Sequence, residues 1–266
     1  MIYHLWDKVP GHYVEEPVLT RFSPEVKKTD AAVLVFSGGG YTHRAKHEGE
    51  GFAEMFRDWG MEAFLLSYRV AENPDDPPLF PAPMIEARRA MRFLRANAKE
   101  LGIDGEKISV IGSSAGGHLA AFLSTYRAPL EGEGVDELDA IDPIPNLQIL
   151  CYPVISADER YAHGGTYRKL LGADCPDKAP YSPDLIADEK TPPAFIWHTS
   201  TDTSVSVTNS YLYAARLREL GVPCEMHVFP VGGHGLGQAP LLPHVNQWTG
   251  LLKNHFVWRG YLPAEE

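Results

Sequence analysis

Ser114, Asp202 and His234 are far apart in the chain, but they are the residue types that together perform nucleophilic catalysis. A serine hydroxyl attacks poorly near neutral pH. It needs a base within hydrogen-bond reach, and the base needs a carboxylate to orient it. Ser114 stands in Gly112-Ser113-Ser114-Ala115-Gly116, a G-x-S-x-G pattern. The pattern alone is a weak signal, because a serine near a helix start is more often a cap. Its context strengthens it. Ile108 to Ile111 read as a buried strand and Leu119 to Leu123 as a buried helix face. A chain that reverses from strand to helix in so few residues leaves no room for side chains beside the apex, so glycine stands there. The apex serine then points outward in strained backbone geometry. Ser113 competes as nucleophile but lacks the flanking glycine spacing.

The candidate base is His234, in the loop Gly232-Gly233-His234-Gly235, and the candidate acid is Asp202, after the preceding strand. Among the other histidines, His198 and His227 fall within strands and read as core or face residues. His118, one turn into the helix after Ser114, reads as a packing or hydrogen-bonding residue. His43, His47 and His163 are loop residues within possible reach of a substrate, and Asp184 and Asp188 are rival acids. Attack on a carbonyl places negative charge on its oxygen, which fixed N–H donors stabilise. Ser37-Gly38-Gly39-Gly40-Tyr41 directly follows a buried strand, and three glycines let a backbone turn its N–H groups toward a ligand. The expected donors are the backbone N–H groups of Gly39, Gly40 and Ala115, the last aided by its helix N-terminus. Tyr41, Tyr152 and Trp197 lie near strand ends, where they would either stack on a sugar or pack in the core.

The elements that must carry these residues alternate. Strands are expected at 18–22 (an edge strand), 31–36, 63–68, 108–111, 147–151, 194–198 and 224–229. Helices are expected at 51–59, 84–101, 119–123, 208–220 and 245–258. Pro74, Pro77, Pro78, Pro81 and Pro83 make 73–83 a rigid surface loop on the site side of the sheet. The arginines of 84–101 (Arg88, Arg89, Arg92 and Arg95) read as a solvated face, and the acidic stretch 129–146 as a surface connection. Residues 154–192 read as a small insertion over the sheet with short helices. Alternation of this kind predicts an α/β fold: a mostly parallel central sheet with helices on both faces, in one domain over 1–266. Ligands bind such sheets outside the carboxyl ends of the strands, and the loops at Ser37, Gly112, Thr199 and Pro230 all emerge there.

The 266 residues carry 35 acidic against 24 basic side chains, a net charge of −11, which disfavours nucleic acid or an anionic membrane as partner. The N-terminal stretch has no apolar core of the signal-peptide kind, and no stretch reaches membrane-spanning length. Three widely spaced cysteines suggest reduced thiols and a cytoplasmic location. No metal-ligand cluster or nucleotide loop is apparent, and this chemistry requires no metal or cofactor. The expected partner is a small-molecule ester, and a monomer or a homo-oligomer would both fit.

Several stretches carry a likeness: Ser-Gly-Gly-Gly-Tyr at 37–41, Ser-Tyr-Arg at 67–69, Gly-Ser-Ser-Ala-Gly-Gly-His-Leu-Ala at 112–120, Cys-Tyr-Pro-Val at 151–154 and Gly-Gly-His-Gly-Leu-Gly at 232–237. Over roughly residues 30–258 the chain resembles the α/β-hydrolases, and within them the small BD-FAE-like esterases related to acetyl esterases and acetylxylan esterases. The order Ser114, Asp202, His234 is the order of that fold. The resemblance implies a Ser-His-Asp triad on these residues, oxyanion donors at Gly39, Gly40 and Ala115, and hydrolysis of short-chain, above all acetyl, esters. Acetylated sugars or xylo-oligosaccharides are the suggested substrates. Ser37 stands where many relatives have His or Pro, which sets the chain apart from the hormone-sensitive-lipase branch. Arylformamidase or small-peptidase chemistry on the same fold, and an inactive binding protein, are the alternatives.

Overall fold

The computed structural model describes residues 1–6, 16–73 and 75–264. Pro74, one of the loop prolines, lies outside the described residues. Eight strands form one sheet in the order β1-β2-β4-β3-β5-β6-β7-β8. They are β1 (Ile2–His4), β2 (Val18–Phe22), β3 (Ala32–Phe36), β4 (Glu62–Leu66), β5 (Ile108–Ser113), β6 (Leu147–Cys151), β7 (Ala194–Thr199) and β8 (Cys224–Phe229). β2 runs antiparallel to both of its neighbours, and from β4 through β8 every pairing is parallel. This is the expected mostly parallel sheet. β2 is not an edge, however, because the short β1 pairs along its outer side. Three residues are too few to show a strand period, so β1 left no signal in the sequence.

The helices are α1 (Lys46–Asp58), α2 (Ala82–Ala96), α3 (Ala98–Leu101), α4 (Ser114–Thr125), α5 (Gly164–Leu171), α6 (Pro183–Ile186), α7 (Thr208–Glu219) and α8 (Pro243–Trp258). The long helix expected at 84–101 is two. α2 ends at Asn97, whose side chain donates to the Phe93 carbonyl, and α3 is a single extra turn. Pro83 belongs to the first turn of α2 rather than to the loop, a position where its missing N–H costs nothing.

β3, β5, β6 and β7 are buried along their whole length. Their alternate side chains feed two cores. One holds Leu34, Val110, Leu119, Phe122 and Ile196, and the other holds Val35, Phe52, Ile149, Trp197 and Trp248. The register fixes where the site must lie. Phe36 pairs with Gly112, Ser113 with Cys151, Cys151 with Trp197, and Thr199 with Phe229, so five parallel strands reach their carboxyl ends along one edge.

The arginine face of α2 is a correction. Arg88, Arg89 and Arg92 are buried, because the acidic segment 129–146 folds over them. Arg89 forks onto Asp136 at 2.5 and 2.6 Å, Arg92 reaches Glu133 and Asp139, and Arg88 reaches Glu133 and two carbonyls. The rigid guanidinium fork satisfies carboxylates and carbonyls together, which makes burial of these charges tolerable. The insertion 154–192 carries α5, α6 and one 3-10 turn, as expected.

Candidate active site

Ser114 sits at the junction of β5 and α4 with φ 52°, in the left-handed region that a non-glycine residue rarely occupies. Two close backbone approaches hold it there. A Cβ on Gly112 would lie 2.0 Å from the Gly116 carbonyl oxygen, and one on Gly116 would lie 2.4 Å from that of Ser37. Both neighbours are main chain, so neither can move aside. The elbow is thus pressed against itself and against the end of β3. Ser114 is 6% exposed, while Ser113 is fully buried with its hydroxyl unpartnered among the described residues.

The loop after β8 brings His234 to Ser114, with Nε2 2.8 Å from Oγ, and Nδ1 lies 2.6 Å from Asp202 Oδ2. A carboxylate only accepts, so Nδ1 carries the proton and Nε2 faces the serine hydroxyl as acceptor. Asp202 follows β7. Its Oδ1 accepts from the N–H groups of Ser204 and Val205. Burial pushes the Asp202 pKa up, but hydrogen bonds from His198, His234 and Val205 more than offset this and hold it below the usual carboxylate range.

His198 is the residue that sequence reasoning missed. It is fully buried, as a core residue within a strand should be, yet its Nε2 lies 3.3 Å from Asp202 Oδ2 and 3.0 Å from the Val205 carbonyl. Both partners accept, so Nε2 is the donor and Nδ1 accepts from Ser210 Oγ at 2.8 Å. The available signal was its place four residues before Asp202, at the carboxyl end of the same strand. Asp184 and Asp188 are engaged elsewhere, the first by Ser182 and the second by Thr191 and Arg127.

The glycine loop leaves β3 beside the elbow. Gly38 packs against the Ser113 carbonyl, and Gly39 has φ 124°, a conformation only glycine adopts freely. Thr42 and Ala45 donate to the carbonyls of Gly39 and Gly38, which turns those oxygens inward. The N–H groups of Gly39, Gly40 and Ala115 make no hydrogen bond among the described residues.

Tyr41 and Tyr152 do not line an open surface: of the two readings, stacking on a sugar or packing in the core, both side chains take the second, which corrects their place among the candidate substrate contacts. They are 0% and 1% exposed, and Trp197 is 0% exposed. Both tyrosine hydroxyls have an internal partner. Tyr41 Oη lies 3.1 Å from His118 Nδ1, and Tyr152 Oη lies 2.7 Å from Glu48 Oε1. His118 Nε2 meets the Tyr181 carbonyl at 2.9 Å, so Nε2 donates there and Nδ1 accepts from Tyr41. Burial lowers the His118 pKa to about 4, which keeps the ring neutral. His118 therefore ties α4 to both the glycine loop and the insertion.

Among the loop histidines, His163 caps α5. Burial and then the neighbouring His234 lower its pKa, which sets it within electrostatic reach of the site. His47 Nε2 binds the Gly235 carbonyl at 2.8 Å, and His43 is exposed. A cleft of about 910 Å³ lies between the start of α1 and the segment after His234, lined by residues such as His47, Gln238, Leu241 and Leu242. No helix among the described residues is long and apolar enough to cross a membrane.

Two family models match the chain, BD-FAE over residues 21–141 and the prolyl oligopeptidase family over 88–246. The chain is 41% identical over 206 residues to an endo-1,4-beta-xylanase B of Butyrivibrio fibrisolvens, covering 77% of this chain and 32% of that protein. It is 31% identical over 251 residues to an acetylxylan esterase of Xylanibacter ruminicola, covering 91% of this chain and 48% of the relative. The chain thus spans about a third to a half of the length of these curated relatives. Among solved structures, an acetyl ester-xyloside bifunctional hydrolase from Caldicellulosiruptor lactoaceticus superposes with a TM-score of 0.89 at 38% identity, covering 98% of this chain and 97% of that one.

Proposed function

The chain belongs to the α/β-hydrolase superfamily, among its small esterases, and on that footing we propose that it is a serine carboxylesterase that removes short acyl groups, acetyl first, from the hydroxyl groups of sugars such as xylo-oligosaccharides. The observation that carries this reading is the continuous contact from Asp202 Oδ2 through His234 to Ser114 Oγ, at 2.6 and 2.8 Å.

In this mechanism Ser114 Oγ attacks the ester carbonyl carbon while its proton passes to His234 Nε2. Asp202 holds Nδ1–H and stabilises the imidazolium that forms. The carbonyl oxygen gains the negative charge and is met by the N–H groups of Gly39, Gly40 and Ala115, and one such donor is worth roughly 2.7–4 kcal/mol in a comparable site. As the intermediate collapses, the carbon–oxygen bond to the alcohol breaks and His234 returns its proton to the leaving oxygen. Water then repeats the sequence on the acyl-serine, with His234 as base, and frees the carboxylic acid and Ser114.

The names of the relatives support acetyl and xylo-oligosaccharide substrates. Peptide amides belong in the test panel because of the prolyl oligopeptidase match. The deciding experiment compares p-nitrophenyl esters from acetyl to octanoyl, acetylated xylo-oligosaccharides, N-formylkynurenine and peptide amides by kcat/KM. Acetyl esters should lead, and S114A should fold yet lose all turnover. An S114A protein with full activity, or a panel led by amides, overturns the proposal.

A further inference from the structure

Glu48 is a buried carboxylate that the mechanism above leaves unused. It lies in the first turn of α1, eight residues after Gly40, and is 2% exposed. A buried charge must be hydrogen-bonded to be tolerated. Its Oε1 accepts from Tyr152 Oη at 2.7 Å, and that oxygen accepts in turn from the Gly237 N–H at 2.8 Å. Gly237 is three residues past His234 in the same loop. The Tyr152 ring stands edge-on to the His234 imidazole, with centroids 5.1 Å apart at 72°. It also stands edge-on to Trp197, 4.9 Å away. Tyr152 itself holds φ 37°, an uncommon backbone state, and its N–H is bound by the Trp197 carbonyl at 2.7 Å.

The other carboxylate oxygen touches the opposite wall. A Cβ on Gly38 would lie 2.1 Å from Glu48 Oε2, so the carboxylate occupies the space that a side chain at 38 would need. One buried group therefore meets the glycine loop on one side and, through one phenol, the His234 loop on the other. These two loops must stay in register with Ser114, because one carries the base and the other the charge-stabilising donors.

We infer that Tyr152 and Glu48 are positioning residues for the esterase reaction: their hydrogen-bonded bridge sets the His234 imidazole and the glycine loop at fixed distance from Ser114. The bridge touches no substrate and exchanges no proton in the reaction. It acts on the geometry of attack, where a displacement of about 1 Å costs on the order of 100-fold in rate. This inference rests on the esterase reading for its kinetic arm only.

Tyr152→Phe removes the shared oxygen and leaves the ring in place. Glu48→Gln keeps an amide oxygen able to accept from the phenol. The wild type and both variants are to be compared for kcat and KM on p-nitrophenyl acetate, with kcat taken per site titrated by a fluorophosphonate so that misfolded protein does not count. Hydrogen exchange of the Gly237 amide is followed in parallel. Y152F should lower kcat per titrated site by 10- to 100-fold, keep KM within about twofold, and expose the Gly237 amide to faster exchange. E48Q should stay within about fivefold of wild type, because the bridge persists. A Y152F protein with kcat per site within twofold of wild type, or with Gly237 exchange unchanged, overturns the inference. If the wild type hydrolysed no ester, the esterase reading would fall, and the exchange measurement alone would decide whether the bridge holds the His234 loop.

Discussion

His198 Nε2 lies 3.3 Å from Asp202 Oδ2, the same oxygen that accepts the hydrogen bond from His234 Nδ1. One carboxylate oxygen thus serves two imidazoles, one buried and fixed by Ser210 and the other in contact with Ser114 Oγ. Replacing His198 with Phe keeps a planar ring and deletes the donor. A hydrogen bond to a charged group is worth about 1.5–3 kcal/mol, so H198F should lose stability of that order at pH 7, read from denaturant midpoints. The loss should shrink as pH falls below 3.8, where the unfolded chain takes up a proton that the folded Asp202 still refuses. An unchanged midpoint at pH 7 would remove His198 from the support of Asp202.

His118 gives the protein an acid-sensitive joint. Its pKa falls from 6.5 in the unfolded chain to about 4 in the fold. Between those values the unfolded chain binds a proton that the folded state refuses, so stability drops as pH falls from 6.5 toward 4. Each pKa unit is worth about 1.4 kcal/mol. H118Q should be less stable than wild type at pH 7, and the gap should close as pH falls through this window. Urea titrations at several pH values test it, and a constant gap contradicts it.

Glu86 behaves in the opposite sense. It is fully buried in α2, with Oε2 accepting from the Arg69 N–H and Oε1 without a partner among the described residues. Burial pushes its pKa from 4.5 up to about 8. Stability from this group is complete below pH 4.5 and is lost as pH rises toward 8, because the unfolded chain releases a proton that the fold retains. E86Q should therefore gain on wild type steadily between pH 5 and 8, by the same denaturation assay. Parallel curves for the two proteins would mean that Glu86 is ionised in the fold.

Gly116 should tolerate no side chain. The added Cβ of G116A would meet the Ser37 and Phe36 carbonyl oxygens at 2.4 and 2.5 Å, both main-chain atoms. Overpacking of this kind typically costs about 1–3 kcal/mol, and here it pushes the glycine loop away from Ser114. G116A should lower the thermal midpoint and cut kcat more than it raises KM. Gly250, an exposed position inside α8 where an added Cβ meets nothing within 4 Å, is the control: G250A should keep the wild-type kcat and KM and gain up to about 1 kcal/mol in stability, because alanine favours helix over glycine.

Much of the fold was legible because the central strands are short continuous apolar runs. Leu147–Cys151 has the bounds expected of it, and so does the edge strand Cys224–Phe229, where Glu225 and His227 alternate with apolar residues. Ser114, Asp202 and His234 could be singled out because each follows a strand in a glycine- or turn-rich loop, and the parallel order sends those loops to one edge. The elbow glycines advertised a steric demand that the distances bear out. What stayed hidden was pairing across long separations. Nothing local tells that Arg89 will be buried under Asp136, that Tyr152 will bind Glu48, or that His198 will share an aspartate. An aromatic near a strand end looks the same whether its hydroxyl faces solvent or a buried partner. Only the fold supplies the partner.

The contact between His118 and the Tyr181 carbonyl bears on how freely the 154–192 segment could be exchanged between proteins of this build. Among the ties that hold that segment to the rest of the chain, this one plugs it into the ring beneath the elbow. A transplanted version of another length must still present an oxygen to the ring beneath the elbow. Without it the imidazole keeps its proton but has nowhere to donate it, and the graft would loosen the loop that Tyr41 anchors on the far side of the same ring.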